Sequence, residues 1–258
     1  MRIVTSKLKT DDLDLEYIES EIYSPVLWES HCHAEFEMIA VSRGDINVML
    51  EGKIYRLKKN QTIIIPPLSY HSVTANEKGT YCRVTVLFGE GAIPKVLSDG
   101  FKDSSINIAT LGTSLIERLK EICEKGDGDF YAPLAKSLMI QIFYEINDGA
   151  NAQESGQADE FLQKSILYID AHLQEKILLD DIARHVSRSK SSFCHLFEER
   201  MNVSPKQYVL QKKLALASKL ISEGVAPTEA ATMVGYDNYS NFYRIYRKNL
   251  GKSPSQKM

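Results

Sequence analysis

Cysteine is scarce in this sequence, and long apolar runs are missing. The four cysteines lie far apart and form no C-x-x-C pair: Cys32, Cys82, Cys123 and Cys194. A disulfide framework would need a denser set and a structural zinc site a clustered one, so we expect reduced and mostly packed thiols. No uninterrupted apolar run approaches the ~18–20 residues that a helix needs to cross a bilayer, so we expect no membrane contact.

The marks of secreted, disordered and fibrous proteins are missing as well. The chain soon runs into Asp11, Asp12 and Asp14, unlike a secretory signal, and we therefore expect a cytoplasmic protein. A composition of 43% hydrophobic and 25% charged residues is typical of a globular chain and excludes a disordered or collagen-like one. A length of 258 residues fits two domains.

Charge is divided unevenly along the chain. Residues 1–158 carry 16 Lys and Arg against 23 Asp and Glu, whereas residues 159–258 carry 15 against 11. An acidic half joined to a basic half predicts that only the second half approaches a polyanion such as DNA.

Short β-branched and aromatic runs fill the first half, at 36–41, 46–50, 62–65 and 81–88, separated by Gly, Pro and Asn. This pattern predicts an antiparallel β-barrel or sandwich, which we place at residues 1–105. Because the rest of the chain has a helical period, the fold class is α+β with more than one domain.

Two amphipathic helices are predicted within residues 106–147. Apolar residues recur at i, i+4 and i+7, at Leu115, Leu119 and Ile122 and again at Ala135, Met139 and Ile142. Pro133 suits the first turn of the second helix. The apolar stripes either cap the barrel or form a homodimer interface, and we assign 106–147 to dimerisation. The polar stretch 148–158 is interpreted as a linker.

An internal repeat organises residues 159–258. Ala183 recurs 48 positions later as Ala231, and Phe193 recurs 49 positions later as Phe242. Each copy predicts a short helix, a tight turn and a second helix, with the small alanine where the helices cross. A duplicated helical hairpin could serve packing alone, but two copies joined by a long helix favour two helix-turn-helix units that present their second helices to DNA.

Turn chemistry supports this interpretation. Ser187 and Ser189 are expected to accept hydrogen bonds from free amides at the start of the second helix in the first copy. Residues 235–238 do the same in the second copy, where Gly235 permits a positive φ. Asn202 and Gly251 stand where each second helix should end in a left-handed residue.

The last hundred residues resemble the DNA-binding domain of AraC/XylS-type transcription regulators. The resemblance rests on segments at 181–183, 189–197, 203–208, 213–217, 234–238, 242–248 and 251–254. The chain departs from the family at several points, among them Asn202 in place of the usual Gly and Lys213 in place of the usual Arg. The resemblance implies a double helix-turn-helix domain at 159–258 that binds a double-stranded DNA operator.

The resemblance also implies which side chains meet DNA. Base contacts fall on Ser191, Cys194 and His195 in the first unit and on Ser240, Asn241 and Arg244 in the second. Phosphate contacts fall on Lys190, Arg247 and Lys248. Because Arg suits guanine and Asn suits adenine, we expect the second recognition helix to discriminate more between sequences.

The first half resembles a cupin. His31, His33 and Glu37 are separated by even steps, which places them on one face of a strand, and His71 follows the Pro66-Pro67 turn. Asn60 and Leu68 stand where the second cupin motif favours Gly. Three imidazoles and a carboxylate could hold zinc, manganese or iron. The resemblance to AraC-type regulators implies instead a metal-free effector pocket at these four residues, with Trp28, Tyr81 and Tyr70 as candidate lining.

These observations predict a transcription regulator that is not an enzyme and requires no cofactor. A small-molecule effector binds the first half and controls DNA binding by a homodimer, with RNA polymerase as a further partner if the protein activates. The alternative is a cupin-type metal-dependent enzyme fused to a helical module. No Ser-His-Asp set, P-loop or dinucleotide fingerprint is found in the sequence.

Overall fold

Strands occupy the first part of the chain and helices the second in the computed structural model. The model describes residues 2–10, 12–23, 26–28, 30–75, 78–101, 107–126, 128–149 and 159–255. The strands within these residues are β1 (Arg2–Lys9), β2 (Leu13–Ile22), β3 (Val26–Leu27), β4 (Phe36–Arg43), β5 (Ile46–Leu50), β6 (Lys53–Leu57), β7 (Gln61–Ile65), β8 (His71–Ala75), β9 (Gly79–Phe88) and β10 (Asn107–Thr110).

The strands form two antiparallel sheets. We call these two sheets and the helices that accompany them the N-terminal domain. The larger sheet has the order β1-β2-β9-β4-β7-β10 and the smaller has the order β3-β8-β5-β6. We predicted a barrel or sandwich, and the antiparallel cupin-like fold is confirmed, although the described strands pair as two sheets and not as one closed ladder.

Strand β4 is buried along nearly its whole length because both of its faces are covered. Met38 and Ala40 face one apolar core, whereas Ile39 and Val41 face a second core between the two sheets. Successive side chains of a strand point to opposite faces, so a continuous apolar run is what a strand covered on both sides requires.

The predicted helical pair packs on the larger sheet. The helices of the N-terminal domain are α1 (Lys95–Ser98), α2 (Thr113–Lys125) and α3 (Gly128–Gly149), and a 3-10 turn spans Asp99–Phe101. The segment predicted to be helical also contains β10, which pairs with β7. Pro133 lies inside α3 and not in its first turn, because the helix begins five residues earlier.

The linker assigned to 148–158 falls mostly outside the described residues. Its first two positions belong to the end of α3, and residues 150–158 are not described.

The C-terminal domain, residues 159–255, contains the predicted repeat. Its helices are α4 (Glu160–Ala171), α5 (Leu179–His185), α6 (Lys190–Met201), α7 (Pro205–Ser222), α8 (Pro227–Met233) and α9 (Tyr239–Leu250). Helices α5 and α6 form the first unit and α8 and α9 the second, with α7 between them. Ala183 and Ala231 are buried, as the helix crossings require. Among the described residues, no helix is long and apolar enough to span a bilayer.

Candidate functional site

The turn of the first unit differs from our expectation at one residue. Ser189 is the N-cap of α6 and its side chain accepts a hydrogen bond from the Ser192 amide at 3.3 Å, as predicted. Ser187 was expected to cap as well, but it is instead the left-handed residue of the turn, with φ of 56°. It occupies the position that Gly235 holds in the second unit.

The turn of the second unit is closed by Gly235 and Lys213. Gly235 has φ of 79°, and a Cβ there would lie 2.8 Å from the Glu175 carbonyl oxygen. Lys213 donates hydrogen bonds to the carbonyl oxygens of Glu175 and Val234. Burial lowers the pKa of Lys213. The residue that departs from the family pattern therefore joins the α4–α5 loop to the second unit.

Both recognition helices are capped as predicted. Asn238 caps α9 by accepting a hydrogen bond from the Asn241 amide at 3.0 Å. Asn202 ends α6 with φ of 53°, and Gly251 ends α9 with φ of 69°. Each recognition helix is therefore stabilised by caps of its own, without a contribution from the other helix.

The predicted base-reading side chains line one outer face of each recognition helix. On α6, Ser191 and His195 are exposed and Cys194 is half-buried. On α9, the three predicted readers Ser240, Asn241 and Arg244 are all exposed.

The exposed face of α9 has an internal contact and a concave basic surface. Arg244 Nη2 donates a hydrogen bond to Asn241 Oδ1 at 3.1 Å. A concave surface beside them is lined by Tyr243, Arg244, Arg247 and Lys248. The predicted phosphate ligands Arg247 and Lys248 are thus brought together with Arg244. Lys190, the third predicted phosphate ligand, is paired with Asp180 at 2.8 Å.

The four cupin-type residues converge in the N-terminal domain, and we call them the histidine cluster: His31, His33, Glu37 and His71. One ligand atom from each lies within 4.8 Å of the others. Glu37 Oε2 is at the centre, 2.6 Å from His71 Nε2 and 3.2 Å from His33 Nε2. Glu37 and His71 are buried, whereas His31 is exposed, so the cluster is open on one side.

The cluster is electrostatically coupled. Burial by itself would raise the pKa of Glu37, but the imidazoles of His71 and His33 outweigh it and hold that pKa well below its usual value. Burial opposes the charge of His33, but its hydrogen bond with Glu37 and the charge of that carboxylate raise the pKa of His33.

The donor set also suits a metal ion, the alternative to the metal-free pocket expected from the sequence. His33 Nδ1 and His71 Nδ1 lie within hydrogen-bond distance of backbone carbonyl oxygens, at 2.9 and 2.8 Å. Metal-binding histidines characteristically donate one ring N–H to such a carbonyl and leave the other nitrogen for the metal. His71 Nε2 is buried and faces Glu37 Oε2 at 2.6 Å. Nitrogen and carboxylate ligands fit zinc, manganese or iron.

The aromatic residues proposed for the effector pocket separate into two groups. Trp28 and Tyr81 pack together, with ring centroids 5.8 Å apart, and the Arg83 guanidinium lies 5.1 Å from the Trp28 centroid. Burial raises the pKa of Tyr81 to about 12, and the charge of Glu37 also reaches its hydroxyl. Sequence reasoning missed Arg83, although it lies two positions from Tyr81 on the same strand face.

Tyr70 was proposed as pocket lining, and the structure places it elsewhere. Its ring lies 5.0 Å from that of Tyr208 on α7, within an apolar core that the two domains share. Cys32, Met49 and Leu68 are the other described N-terminal side chains whose contacts extend into this core. Tyr70 therefore faces the C-terminal domain and not the cluster.

A polar group at the same interface was not predicted from the sequence. Glu51 Oε2 accepts a hydrogen bond from the Tyr208 hydroxyl at 2.5 Å, and Glu51 Oε1 accepts one from Lys212 Nζ at 2.8 Å. Lys212 also pairs with Asp170 at 2.8 Å and donates to the Leu68 carbonyl oxygen. Burial would lower the pKa of Lys212, but Glu51 and Asp170 raise it above its usual value, so the buried ammonium stays charged.

Comparison with known proteins accounts for both halves of the chain. The family model described as an AraC-like ligand binding domain matches residues 13–168, and one described as a helix-turn-helix domain matches residues 182–258. The HTH-type transcriptional regulator YdiP of Escherichia coli is 25% identical over 249 residues, which are 88% of this chain and 80% of that protein.

Two further proteins are similar over different lengths. The arabinose operon regulatory protein of Escherichia coli is 26% identical over 134 residues, 51% of this chain and 46% of that protein. A crystal structure of an apo ToxT variant from Vibrio cholerae gives a TM-score of 0.49 at 11% identity, covering 96% of this chain and 97% of that one. Since the ligand-binding model alone matches more than half of the chain, the chain belongs to the AraC family of transcription regulators, with a ligand-binding domain ahead of a helix-turn-helix DNA-binding domain.

Proposed function

We propose that this regulator recognises its operator chiefly with α9, through Asn241 and Arg244. The observation that carries the proposal is the exposure of both side chains on a helix that is capped at its two ends. A guanidinium can donate two hydrogen bonds to guanine, and an amide can pair with adenine in the same way. Ser191, Cys194 and His195 on α6 contribute weaker discrimination.

Phosphate contacts position the protein on the duplex. Arg247 and Lys248 lie next to Arg244 on the outer surface of α9, where they can bind the backbone beside the groove. Lys190 is paired with Asp180, whose carboxylate repels a phosphate, so its contribution to affinity is smaller than theirs.

The effector is a small molecule bound at the histidine cluster, with Trp28 and Tyr81 beside it. The cluster is open to solvent at His31 and carries both a buried carboxylate and imidazoles, so it suits a polar ligand. Trp28 and Tyr81 add an apolar surface that Arg83 borders. Effector binding shifts the population between arrangements of the DNA-binding domains only to the extent that it prefers one arrangement.

A homodimer is supported by helix α3. Large apolar side chains stay exposed along it: Phe130 at 72%, Tyr144 at 62%, Leu134 at 41% and Ile140 at 38%. Their spacing places them within one side of the helix, opposite the buried residues that pack on the sheet. A second copy of the chain that covers this stripe would remove it from water.

Regulation without catalysis is the function we favour over the metal-dependent enzyme. Membership in a family of transcription regulators and the capped double helix-turn-helix support it. The protein then acts in the cytoplasm, where it can meet chromosomal DNA, and it contacts RNA polymerase if it activates.

Selection of binding sites from random double-stranded DNA tests the proposal. The full chain should enrich two short sequence blocks about one helical turn apart, and residues 159–258 alone should enrich the same blocks. Lys164→Ala removes a positive charge on α4, outside the recognition helices, and as the control it should enrich the same blocks. Failure of the full chain to enrich any sequence, even at low salt, would contradict the proposal.

A further inference from the structure

The face of the larger sheet that is turned towards the smaller sheet carries polar side chains, and we call it the inner face. Tyr81 packs in the core between the two sheets, whereas Val84 packs in the core on the other side. Because side chains alternate along a strand, Arg83 and Thr85 of β9 lie on the inner face together with Tyr81. Glu37 of the histidine cluster lies on the same face of the neighbouring strand β4. Arg83 is therefore on the same side of the sheet as the cluster.

The Arg83 guanidinium makes aromatic contacts but no ion pair. Its Cζ lies 5.1 Å from the Trp28 ring centroid and 5.8 Å from that of Tyr81, and Nη1 donates a long hydrogen bond of 3.4 Å to the Tyr81 hydroxyl. Nε is buried without a hydrogen-bond partner, and no carboxylate among the described residues pairs with the guanidinium. A buried charged donor without a partner costs free energy, so proteins supply one from the chain, from water or from a ligand.

Two hydroxyl groups near Arg83 also have no partner. Thr85 lies two positions along β9, and Ser20 lies opposite Tyr81 on β2. Each buries its hydroxyl oxygen without a hydrogen bond to any described residue. Ser20 is wholly buried, so bulk water does not reach it. The inner face thus presents a cation and two hydroxyls, all of which can donate to an acceptor that the described chain does not provide.

Carboxylates on neighbouring strands of the inner face are held by other groups. Glu16 of β2 pairs with Lys7 Nζ at 3.0 Å. Glu37 of β4 is held by the imidazoles of the histidine cluster. The charge of Arg83 is therefore left for an anion that comes from outside the described chain.

The inner face is accessible at Arg83 and beyond it. Tyr81 is buried, but Arg83, Thr85 and Leu87 are half-buried, as is Trp28. The smaller sheet therefore covers this face of β9 at one end only, and a ligand can approach the guanidinium from the other. The Trp28 ring and the Leu87 side chain offer apolar surface for the body of such a ligand.

We propose that Arg83 binds a carboxylate of the effector, so that the effector is an organic acid with an apolar body beside Trp28. The proposal rests on the proposed function, since it names the chemical class of the effector. The planar fork of a guanidinium matches a carboxylate, and the Thr85 hydroxyl can donate to the same group. A carboxylate suits the site better than a phosphate, because Arg83 balances one negative charge and a phosphate carries about two.

The fluorescence of Trp28 tests the site directly, because Trp28 is the only tryptophan in the chain. Propionate, pentanoate, benzoate and phenylacetate are titrated into the full chain to millimolar concentrations, each beside its primary amide. At least one acid should change the fluorescence saturably, and its neutral amide should bind at least about tenfold more weakly. The proposal is wrong if none of the four acids binds or if the acid and its amide bind equally.

Benzylphosphonate distinguishes a carboxylate from a group with the charge of a phosphate. It has the same apolar body as phenylacetate and differs in the anionic group alone. Phenylacetate should bind at least as tightly as benzylphosphonate. Tighter binding of the phosphonate would overturn the assignment of a carboxylate.

Substitution of Arg83 tests its role with the acid that binds. Arg83→Gln should weaken binding about tenfold or more, and Arg83→Lys, which keeps the charge but loses the planar fork, should fall between the two. The matched control is Arg56→Gln on β6, which removes an exposed arginine of the same domain and should leave binding unchanged. Circular dichroism checks that each variant is folded. Equal binding by wild type and Arg83→Gln would overturn the proposal.

Thr85→Val separates ligand binding from a structural role of the same face. Valine keeps the shape of threonine and removes a hydroxyl that has no partner in the described chain. The unfolding temperature should therefore not fall, whereas binding of the acid should weaken about threefold. A lower unfolding temperature with unchanged binding would show that the hydroxyl serves the fold and not the ligand.

Competition binding to the operator selected from random DNA separates this proposal from the proposed function. The acid should change the operator affinity of the wild-type chain by about fivefold or more, the lower limit of typical coupling between sites. It should not change that of Arg83→Gln. Acid binding without any change in operator affinity would show that the acid is not the effector, while sequence-specific DNA binding would stand. Failure of the wild-type chain to select any sequence would reject the proposed function itself.

Discussion

The two helix-turn-helix units share one architecture but differ in what surrounds them. The core of the first unit continues into the N-terminal domain through Cys32 and Tyr70. The core of the second unit is closed on itself, with Phe242 and Tyr246 packed against residues of α7 and α8. Among the described residues, the core of one copy thus includes side chains of the ligand-binding domain and the core of the other does not.

The outer faces of the two units also differ, and here it is the second unit that is better equipped. The attached unit presents Ser191 and His195, whereas the detached unit presents Asn241 and Arg244, which are better suited to base recognition. The comparison suggests a division of labour in which the first unit receives the signal and the second reads the sequence.

Truncating one core phenylalanine in each unit should have the largest effect. Phe197→Ala and Phe242→Ala each remove a fully buried ring, and each should lower the free energy of unfolding by about 3–5 kcal/mol in urea titrations. Only Phe197→Ala should also accelerate hydrogen exchange in β8, because Phe197 packs 5.2 Å from Tyr208, the partner of Tyr70. The exposed Leu178→Ala is the control, and equal acceleration by both variants would break the comparison.

Each unit has one left-handed turn residue, and replacing it with the residue type found in the other unit should change stability unequally in the two units. Gly235→Ser introduces both a strained φ and a clash with the Glu175 carbonyl oxygen, so it should cost about 2–4 kcal/mol of unfolding free energy. Ser187→Gly relieves strain but adds chain entropy to the unfolded state, so stability should change by no more than about 1 kcal/mol. Thermal unfolding of both variants measures this, and a harmless Gly235→Ser would show that the second turn is not tightly packed.

Removing one base reader from each unit tests the proposed division of labour. Arg244→Ala should lose about 1–3 kcal/mol of discrimination at one or two base pairs, and His195→Ala less than about 1 kcal/mol. Competition binding on operator variants gives both values. Lys248→Ala should weaken binding to all sequences alike and reduce its salt dependence. An equal loss on operator and random DNA would make Arg244 a phosphate contact.

The helix caps should have the smallest effects and should be alike in the two units. Ser189→Ala and Asn238→Ala each remove an accepted hydrogen bond at a helix start, at a cost of about 1 kcal/mol in unfolding free energy. Ser187→Ala should change stability by less than about 0.5 kcal/mol, because Ser187 caps nothing. Chemical denaturation of the three variants decides whether Ser187 or Ser189 is the cap.

Local patterns predicted much of the fold and most of the candidate site. The repeat located both units, and even spacing in 31–37 brought the histidine cluster together. Asn60 and Leu68 replace cupin glycines, yet they keep the left-handed conformation, with φ of 66° and 64°. Asparagine adopts this conformation readily, whereas the backbone at Leu68 is held there by its surroundings at a cost in conformational energy.

Other features had no local signal. Pro133 indicated a helix start that the structure places earlier, since contacts along α3 extend the helix past its sequence signal. Tyr70 looked like pocket lining because its neighbour His71 is a cluster residue, although adjacent strand residues face opposite ways. Arg83 joined the aromatic pair only through the packing of β9 against Trp28.

The sequence alone determined the two domain types, the duplicated units, their caps and the residues of the cluster. Each of these depends on spacing within a few turns or strands, where periodicity and side-chain chemistry act directly. Only the tertiary structure decided that Glu51 meets Tyr208 and Lys212, which are 157 and 161 positions away. Such a contact leaves no periodic trace, because its position is set by the packing of whole domains and not by the chain around it. The contribution of Cys32 and Tyr70 to the core of the first unit follows from that packing.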